Sequence, residues 1–176
     1  MHNSSKAKTT SLMVLLVSVF LLSALTGVGK VSAAWPYDWA MWRHDSQHSG
    51  YSASPAPTTN QTLWIYTTDG TMQSSPTVAN GVVYVGGGTG NNKVYALNAA
   101  TGASIWNYTT SGNVYSSPAV ADGKVYIGSS DNKTYCFDAA TGALIWNYTT
   151  SDAVGASPAV ANGKVYIGSN DDKVTA

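Results

Sequence analysis

Self-similarity at a period of about 40 residues constrains this chain more than any other feature. Thr62-Leu63-Trp64-Ile65-Tyr66-Thr67-Thr68 returns as Ser104-Ile105-Trp106-Asn107-Tyr108-Thr109-Thr110, and again from Leu144 to Thr150. Ser75 to Gly81 returns as Ser117 to Gly123 and as Ser157 to Gly163. Val83-Tyr84-Val85-Gly86 returns as Val125 to Gly128 and Val165 to Gly168. A fixed period of this length marks an array of units, each burying its apolar face on the next. The first interval is two residues longer than the second, and the extra residues fall in Gly87-Gly88-Thr89-Gly90. Insertion in such a turn lengthens a surface loop and leaves the strands in register.

Each repeat holds four short strand candidates. In the second repeat they are Ser117 to Ala121, Lys124 to Gly128, Thr134 to Asp138 and Ala143 to Tyr148. Asn-Gly and Asp-Gly pairs between β-rich runs predict tight hairpins, because these turns require positive φ. Pro76, Pro118 and Pro158 fall in the first strand of each repeat, and a residue without an N–H is confined to a sheet edge. No helical apolar period follows residue 35, and the Leu-x-x-Leu pattern of a leucine-rich solenoid is absent. Four strands in about 40 residues is the blade of a β-propeller. The expected fold is therefore all-β: an incomplete propeller of about three four-stranded blades, preceded by a signal-peptide helix.

The helix expectation rests on the first 33 residues. Lys6 and Lys8 precede an apolar run from Leu12 to Leu25, and Val31-Ser32-Ala33 has the small-residue form of a cleavage site. The run is shorter than the ~20 residues a membrane-spanning helix needs. A cleaved signal peptide over 1–33 is expected, then a strap or linker over 34–61, then a partial propeller over 62–176. Its blades run from about 70–110, 112–150 and 153–176, the last truncated. The product is expected to be secreted or displayed at the cell surface. A stray outer strand, two full blades and most of a third cannot close a ring of ~4–8 blades. A piece of a longer product is the expectation, with assembling copies or an open arc as alternatives.

Composition narrows the function. Hydrophobic residues at 44% and aromatics at 11% can fill a core, which argues against disorder. Charged residues are 10%, against ~25% in ordinary domains. A net charge of zero argues against nucleic acid, whose phosphates need clustered Lys and Arg, and against a polybasic membrane contact. The membrane would enter only through the export signal. Cys136 is the single cysteine, so no internal disulfide is expected and its place is a small buried side chain.

The segment Ala96-x-Asn98-x-x-Thr101-Gly102-x-x-x-Trp106 resembles the tryptophan-docking motif of pyrroloquinoline-quinone-type propeller repeats. The next copy is Cys136-x-Asp138-x-x-Thr141-Gly142-x-x-x-Trp146, with Cys where that family usually has Ala. Trp39 to Asp45, followed by His48-Ser49-Gly50-Tyr51, is similar to the strap that often precedes such propellers. The resemblance covers nearly all of residues 39–176 and implies a structural role for these positions. Asn98 or Asp138 would accept backbone N–H bonds in an Asx-turn. Trp106 and Trp146 would bury their rings on the neighbouring blade.

Family members include quinone-dependent dehydrogenases, with a complete ring, a calcium ion near the axis, a catalytic Asp and often a disulfide between adjacent cysteines. None of these maps onto this sequence, which contains no Glu and no Cys pair. No catalytic, cofactor-binding or metal-ligating residue is expected in the chain. Pyrroloquinoline quinone and calcium belong only to the alternative, a quinoprotein dehydrogenase whose catalytic residues lie downstream. Asp131-Asn132 and Asp171-Asp172 are read as solvated turns. His44 and His48 are four apart, yet Gly50 and the residues between them do not read as a helix that would pair them on a metal. Asn60, Asn107, Asn132 and Asn147 head N-x-S/T sequons, which are glycosylation acceptors in an exported chain. The leading expectation is a non-catalytic binding scaffold at the cell surface, its partner a protein or surface ligand. A non-enzymatic relative is the propeller lipoprotein of the outer-membrane barrel-assembly machinery, from which this sequence departs in having no cysteine near its processing site.

Overall fold

The structure is a computed structural model and describes residues 39–43, 54–55 and 57–176. The expected signal peptide and most of the strap, including His44 and His48, lie outside the described residues. Eleven strands follow in order: β1 Thr77–Ala79, β2 Val82–Gly86, β3 Lys93–Asn98, β4 Ser104–Thr109, β5 Ala119–Ala121, β6 Lys124–Ser129, β7 Lys133–Asp138, β8 Leu144–Thr149, β9 Ala159–Ala161, β10 Lys164–Ser169 and β11 Lys173–Thr175. They form two four-stranded antiparallel sheets, β1–β4 and β5–β8, and a three-stranded sheet, β9–β11. This is the blade pattern of an incomplete propeller. Among the described residues no helix is long and apolar enough to cross a membrane.

Local chemistry sets the hairpins. Asn80-Gly81, Asp122-Gly123 and Asn162-Gly163 all have positive φ at both positions, from 49° to 73°. Asn, Asp and Gly reach this region at least cost, and the resulting two-residue turn matches the twist of the strands it joins. The pairing follows, with Ala79 opposite Val82, Ala121 opposite Lys124 and Ala161 opposite Lys164.

Two expectations are corrected. Pro76, Pro118 and Pro158 stand immediately before β1, β5 and β9 rather than within them. A prolyl nitrogen cannot donate, so the ladder begins one residue later. Residues 62–68, read as a stray outer strand, are not a strand. An outer strand forms only on the third strand of its own blade, and no described residue supplies one.

The core lies where the first two blades meet. Val94, Ala96, Val114, Val125, Ile127 and Phe137 are almost fully buried there. Trp106 sits among them, with its ring 5.9 Å from Tyr84 and 6.0 Å from Phe137. Tyr108 packs at a tilt against the same Phe137, with ring centres 4.7 Å apart. Aromatic pairs at these separations add to the area they bury. The first strands of neighbouring blades adjoin, tied by Ser75 N–H to Ser117 Oγ at 2.9 Å, Ser117 N–H to Ser157 Oγ at 3.0 Å and Thr77 Oγ1 to the Pro118 carbonyl at 2.6 Å. The described part of the strap caps this edge. Trp39 bridges Val78, and the Ala40 carbonyl accepts from Val120 N–H at 2.7 Å.

Candidate functional site

The two faces of the blades have different roles. One carries the β1–β2 and β3–β4 turns, joined by Ala99 N–H to the Gly81 carbonyl and Ala139 N–H to the Gly123 carbonyl, both at 2.9 Å. The docking residues sit here. Asn98 Oδ1 accepts from the N–H groups of Ala100 and Thr101, each at 3.0 Å. Asp138 Oδ1 accepts from Ala140 N–H at 3.1 Å and from Thr141 N–H and Oγ1, each at 2.8 Å. These donors hold the Asp138 carboxyl below the usual carboxylate range, the Thr141 hydroxyl contributing most. Each turn ends on a glycine in the left-handed region, Gly102 at 71° and Gly142 at 72°.

An indole lies flat on each glycine. A Cβ on Gly102 would meet Trp64 at 2.7 Å, and one on Gly142 would meet Trp106 at 2.6 Å. The Trp64 indole N–H donates to the Ala99 carbonyl at 2.9 Å, as Trp106 does to that of Ala139. Trp106 is thereby 8% exposed, whereas Trp146 is 39% exposed. Among the described residues no glycine lies against the Trp146 ring as Gly142 lies against Trp106. Its ring packs 6.0 Å from Tyr126 of its own blade and lines a cleft of about 730 Å³ between the second and third blades. Ala96 and Cys136 pair with Trp106 and Trp146 across their sheets, both wholly buried. Thr101 and Thr141 lie exposed on the turns.

The opposite face carries the β2–β3 turns and the connections between blades, and here the copies stop resembling one another. Asp69-Gly70-Thr71-Met72-Gln73 aligns with Ser111-Gly112-Asn113-Val114-Tyr115 and with Ser151-Asp152-Ala153-Val154-Gly155. Gln73 and Tyr115 occupy the same repeat position on adjacent blades, and the lengthened turn stands between them. Gln73 Oε1 accepts from Thr89 N–H at 3.2 Å and Thr89 Oγ1 at 3.3 Å. Thr89 Oγ1 lies 3.1 Å from the Tyr115 hydroxyl, which also accepts from Asn113 Nδ2 at 2.8 Å. The result is a ledge of amide, hydroxyl and phenol groups, with Tyr115 38% exposed. Sequence reasoning missed it. The signal that could have found it is the divergence of the copies at these connections.

Asp131, expected in a solvated turn, instead ties two blades together. Its Oδ2 accepts from Ser111 N–H at 2.9 Å and from the Tyr135 hydroxyl at 2.7 Å. Burial and this bond push the Tyr135 hydroxyl well above the ordinary tyrosine range. Asp171 repeats the contact on the third blade, accepting from Ser151 N–H at 3.1 Å. Of the sequon residues, Asn60, Asn107 and Asn147 are exposed. Asn132 is half-buried at a φ of 67°, and its carbonyl accepts from Thr150 N–H at 2.8 Å and Oγ1 at 3.0 Å. Among the described residues no group of three His, Cys, Asp or Glu side chains converges as a metal site would require.

Comparison with known proteins gives a family and a set of similar folds. The family described as outer membrane protein assembly factor BamB matches residues 48–176. Comparison with curated proteins gave no significant match. A europium-containing methanol dehydrogenase superposes with a TM-score of 0.64 at 23% identity, over 80% of this chain and 28% of its own. Quinohemoprotein alcohol dehydrogenase from Comamonas testosteroni gives 0.64 at 27% identity, over 78% of this chain and 24% of its own. BamB from Moraxella catarrhalis gives 0.56 at 23% identity, over 64% of this chain and 35% of its own. The chain thus spans about a quarter to a third of the length of these structures.

Proposed function

The chain belongs to the propeller family described as outer membrane protein assembly factor BamB, and from that premise we propose that it is a non-catalytic, extracytoplasmic scaffold that binds a protein or surface ligand through its loop-bearing face. The observation that carries this reading is the ledge of Gln73, Thr89, Asn113 and Tyr115. It is built from connections in which the copies differ. A strand pairing common to the copies holds the blades, so exposed connection side chains that change from copy to copy are free to serve recognition. Tyrosine suits the task, since it offers contact area with few rotamers to freeze. Export is supported by the apolar run and small-residue site within residues 1–33.

The second reading, part of a quinone-dependent dehydrogenase, is supported by the 27% identity to a quinohemoprotein alcohol dehydrogenase. The residues at the adjoining first strands do not fit that cofactor pair. β1, β5 and β9 present Thr77, Val78 and Ala79 and two Ala-Val-Ala runs. Calcium asks for six to eight oxygen ligands, several of them ionised, and the carboxylates of the quinone ask for cations. The one hydroxyl here, on Thr77, is already engaged by Pro118.

Affinity capture from the host envelope with the full chain, alongside its Tyr115→Ala variant, tests the proposal. A partner held by the parent and lost by the variant is expected. Dye-linked alcohol oxidation after addition of pyrroloquinoline quinone and calcium, or capture indifferent to Tyr115, would overturn it.

A further inference from the structure

The ledge of Gln73, Thr89, Asn113 and Tyr115 fixes its own proton arrangement. Asn113 Nδ2 can only donate, and it donates to the Tyr115 hydroxyl at 2.8 Å. Thr89 has one hydroxyl proton, which goes to Gln73 Oε1 at 3.3 Å. The 3.1 Å contact between Thr89 Oγ1 and the Tyr115 hydroxyl is then donated by the tyrosine. The four side chains therefore form a relay that runs one way, from Asn113 to Gln73. Its two ends are unlike. Gln73 Nε2 is a donor and Asn113 Oδ1 an acceptor, and neither has a hydrogen-bond partner among the described residues.

This arrangement belongs to one blade boundary. At the next boundary Gly155 stands at the position of Gln73 and Tyr115, and the turn from Gly128 to Lys133 lacks the two residues inserted in the first blade. The insertion supplies Thr89, the centre of the relay, and Gly88, whose missing Cβ leaves the room that the Gln73 amide fills.

We infer that the ledge binds a neutral saccharide, one sugar ring seated on the Tyr115 ring and its hydroxyls meeting Gln73 Nε2 and Asn113 Oδ1. This deepens the recognition role proposed for this face and rests on it. A hydroxyl both donates and accepts, so a single polyol satisfies the two unlike ends. The Tyr115 ring, 38% exposed, offers its electron-rich face to the C–H groups of a sugar. Charge is absent from the ledge, and Asp69, in the same connection as Gln73, is already paired with Lys93 at 2.6 Å. An ionised ligand would lose water here without gaining a counter-charge. A peptide added as a strand needs a run of free backbone groups. The N–H groups of Gly88, Asn91 and Val114 are already given to Thr71, Gly88 and Gly87.

The test applies the full chain to an array of immobilised neutral oligosaccharides (glucans, mannans and chitooligosaccharides) beside sialylated ones, then titrates the best neutral ligand. Saturable binding to neutral glycans is expected. Tyr115→Ala should weaken it about tenfold or more, as for loss of a central aromatic anchor. Tyr115→Phe keeps the ring and should lose less. Gln73→Glu keeps the acceptor for Thr89 but replaces the outward donor, and should lose several-fold. Gln73 and Tyr115 are exposed, so the melting temperatures of all three variants should stay close to the parent's. No saturable binding to any neutral glycan, binding to sialylated glycans alone, or affinities indifferent to Tyr115 and Gln73 would overturn the inference. If an envelope protein were then still captured by the parent and lost by Tyr115→Ala, the scaffold reading would stand and only the saccharide would fall. Capture indifferent to Tyr115 would remove both.

Discussion

The indole N–H of Trp106 donates to the carbonyl of Ala139 across a blade boundary, at 2.9 Å. The bond joins the last strand of one sheet to a turn of the next, and the same ring covers Gly142. One side chain thus supplies a hydrogen bond, a close approach to backbone and contact with Tyr84 and Phe137. Trp106→Ala should cost ~3–5 kcal/mol, the range for truncating a buried aromatic. Trp146→Ala, at a ring 39% exposed, should cost under about 1.5 kcal/mol. Denaturant midpoints of the two variants check this, and equal losses would contradict the seam described here.

The glycines near the ends of the second strands give a sharper contrast. A Cβ on Gly128 would stand 2.5 Å from Val154 Cγ1 and 2.6 Å from the Val154 carbonyl oxygen. The carbonyl cannot yield without moving the chain, so Gly128→Ala should destabilise by ~1–3 kcal/mol. At the equivalent Gly168 the nearest atom is Ala156 Cβ at 3.6 Å, ordinary contact. Gly168→Ala should change stability by less than about 0.5 kcal/mol. The same two melting curves measure both.

The blades were legible because their grammar is local. Asn80-Gly81 and Asp122-Gly123 name their own turns, and the recurring Trp64, Trp106 and Trp146 give the period. What escaped the sequence depends on neighbours. Trp106 and Trp146 sit in nearly identical strings, yet one is buried and the other half-exposed, because burial is set by the blade that follows. Asp131 reads as a turn residue until Ser111 is brought to it from 20 positions away. Gln73, Thr89 and Tyr115 meet only because adjacent sheets stand side by side, a placement that no spacing along the chain encodes.

Asp138 supplies a pH test with an internal control. Its carboxyl is held below the usual range chiefly by the Thr141 hydroxyl and N–H. A carboxylate depressed on folding stabilises the native state fully above its unfolded value of about 3.9. That contribution is lost as pH falls through the lower folded value. Asp138→Asn should keep the turn, because Asn98 builds the same turn in the first blade with its own Oδ1. The variant should therefore be somewhat less stable than the parent near pH 7, and show a shallower decline in melting temperature below about pH 4, so that the two curves draw together in acid. A decline as steep as the parent's would assign the acid sensitivity elsewhere, with Asp171, depressed mainly by Ser169, the next candidate.

Cys136 carries the last prediction. Its side chain is wholly buried in β7, opposite Trp146, and burial is the main force raising its thiol above the ordinary cysteine range. The nearby Lys124 and the Tyr126 hydroxyl pull the other way and do not reverse it. Reaction with a thiol reagent requires the thiolate and access to it, and the folded chain restricts both. At pH 8 the native protein should label far more slowly than the same protein in denaturant, with a rate that follows opening of the second blade. Fast native labelling would mean that β7 is open to water. Cys136→Ala should be mild, within about 1.5 kcal/mol, since Ala96 fills the same place opposite Trp106 in the first blade. A larger loss would show that the sulfur fills space in the second blade that the first blade does not have.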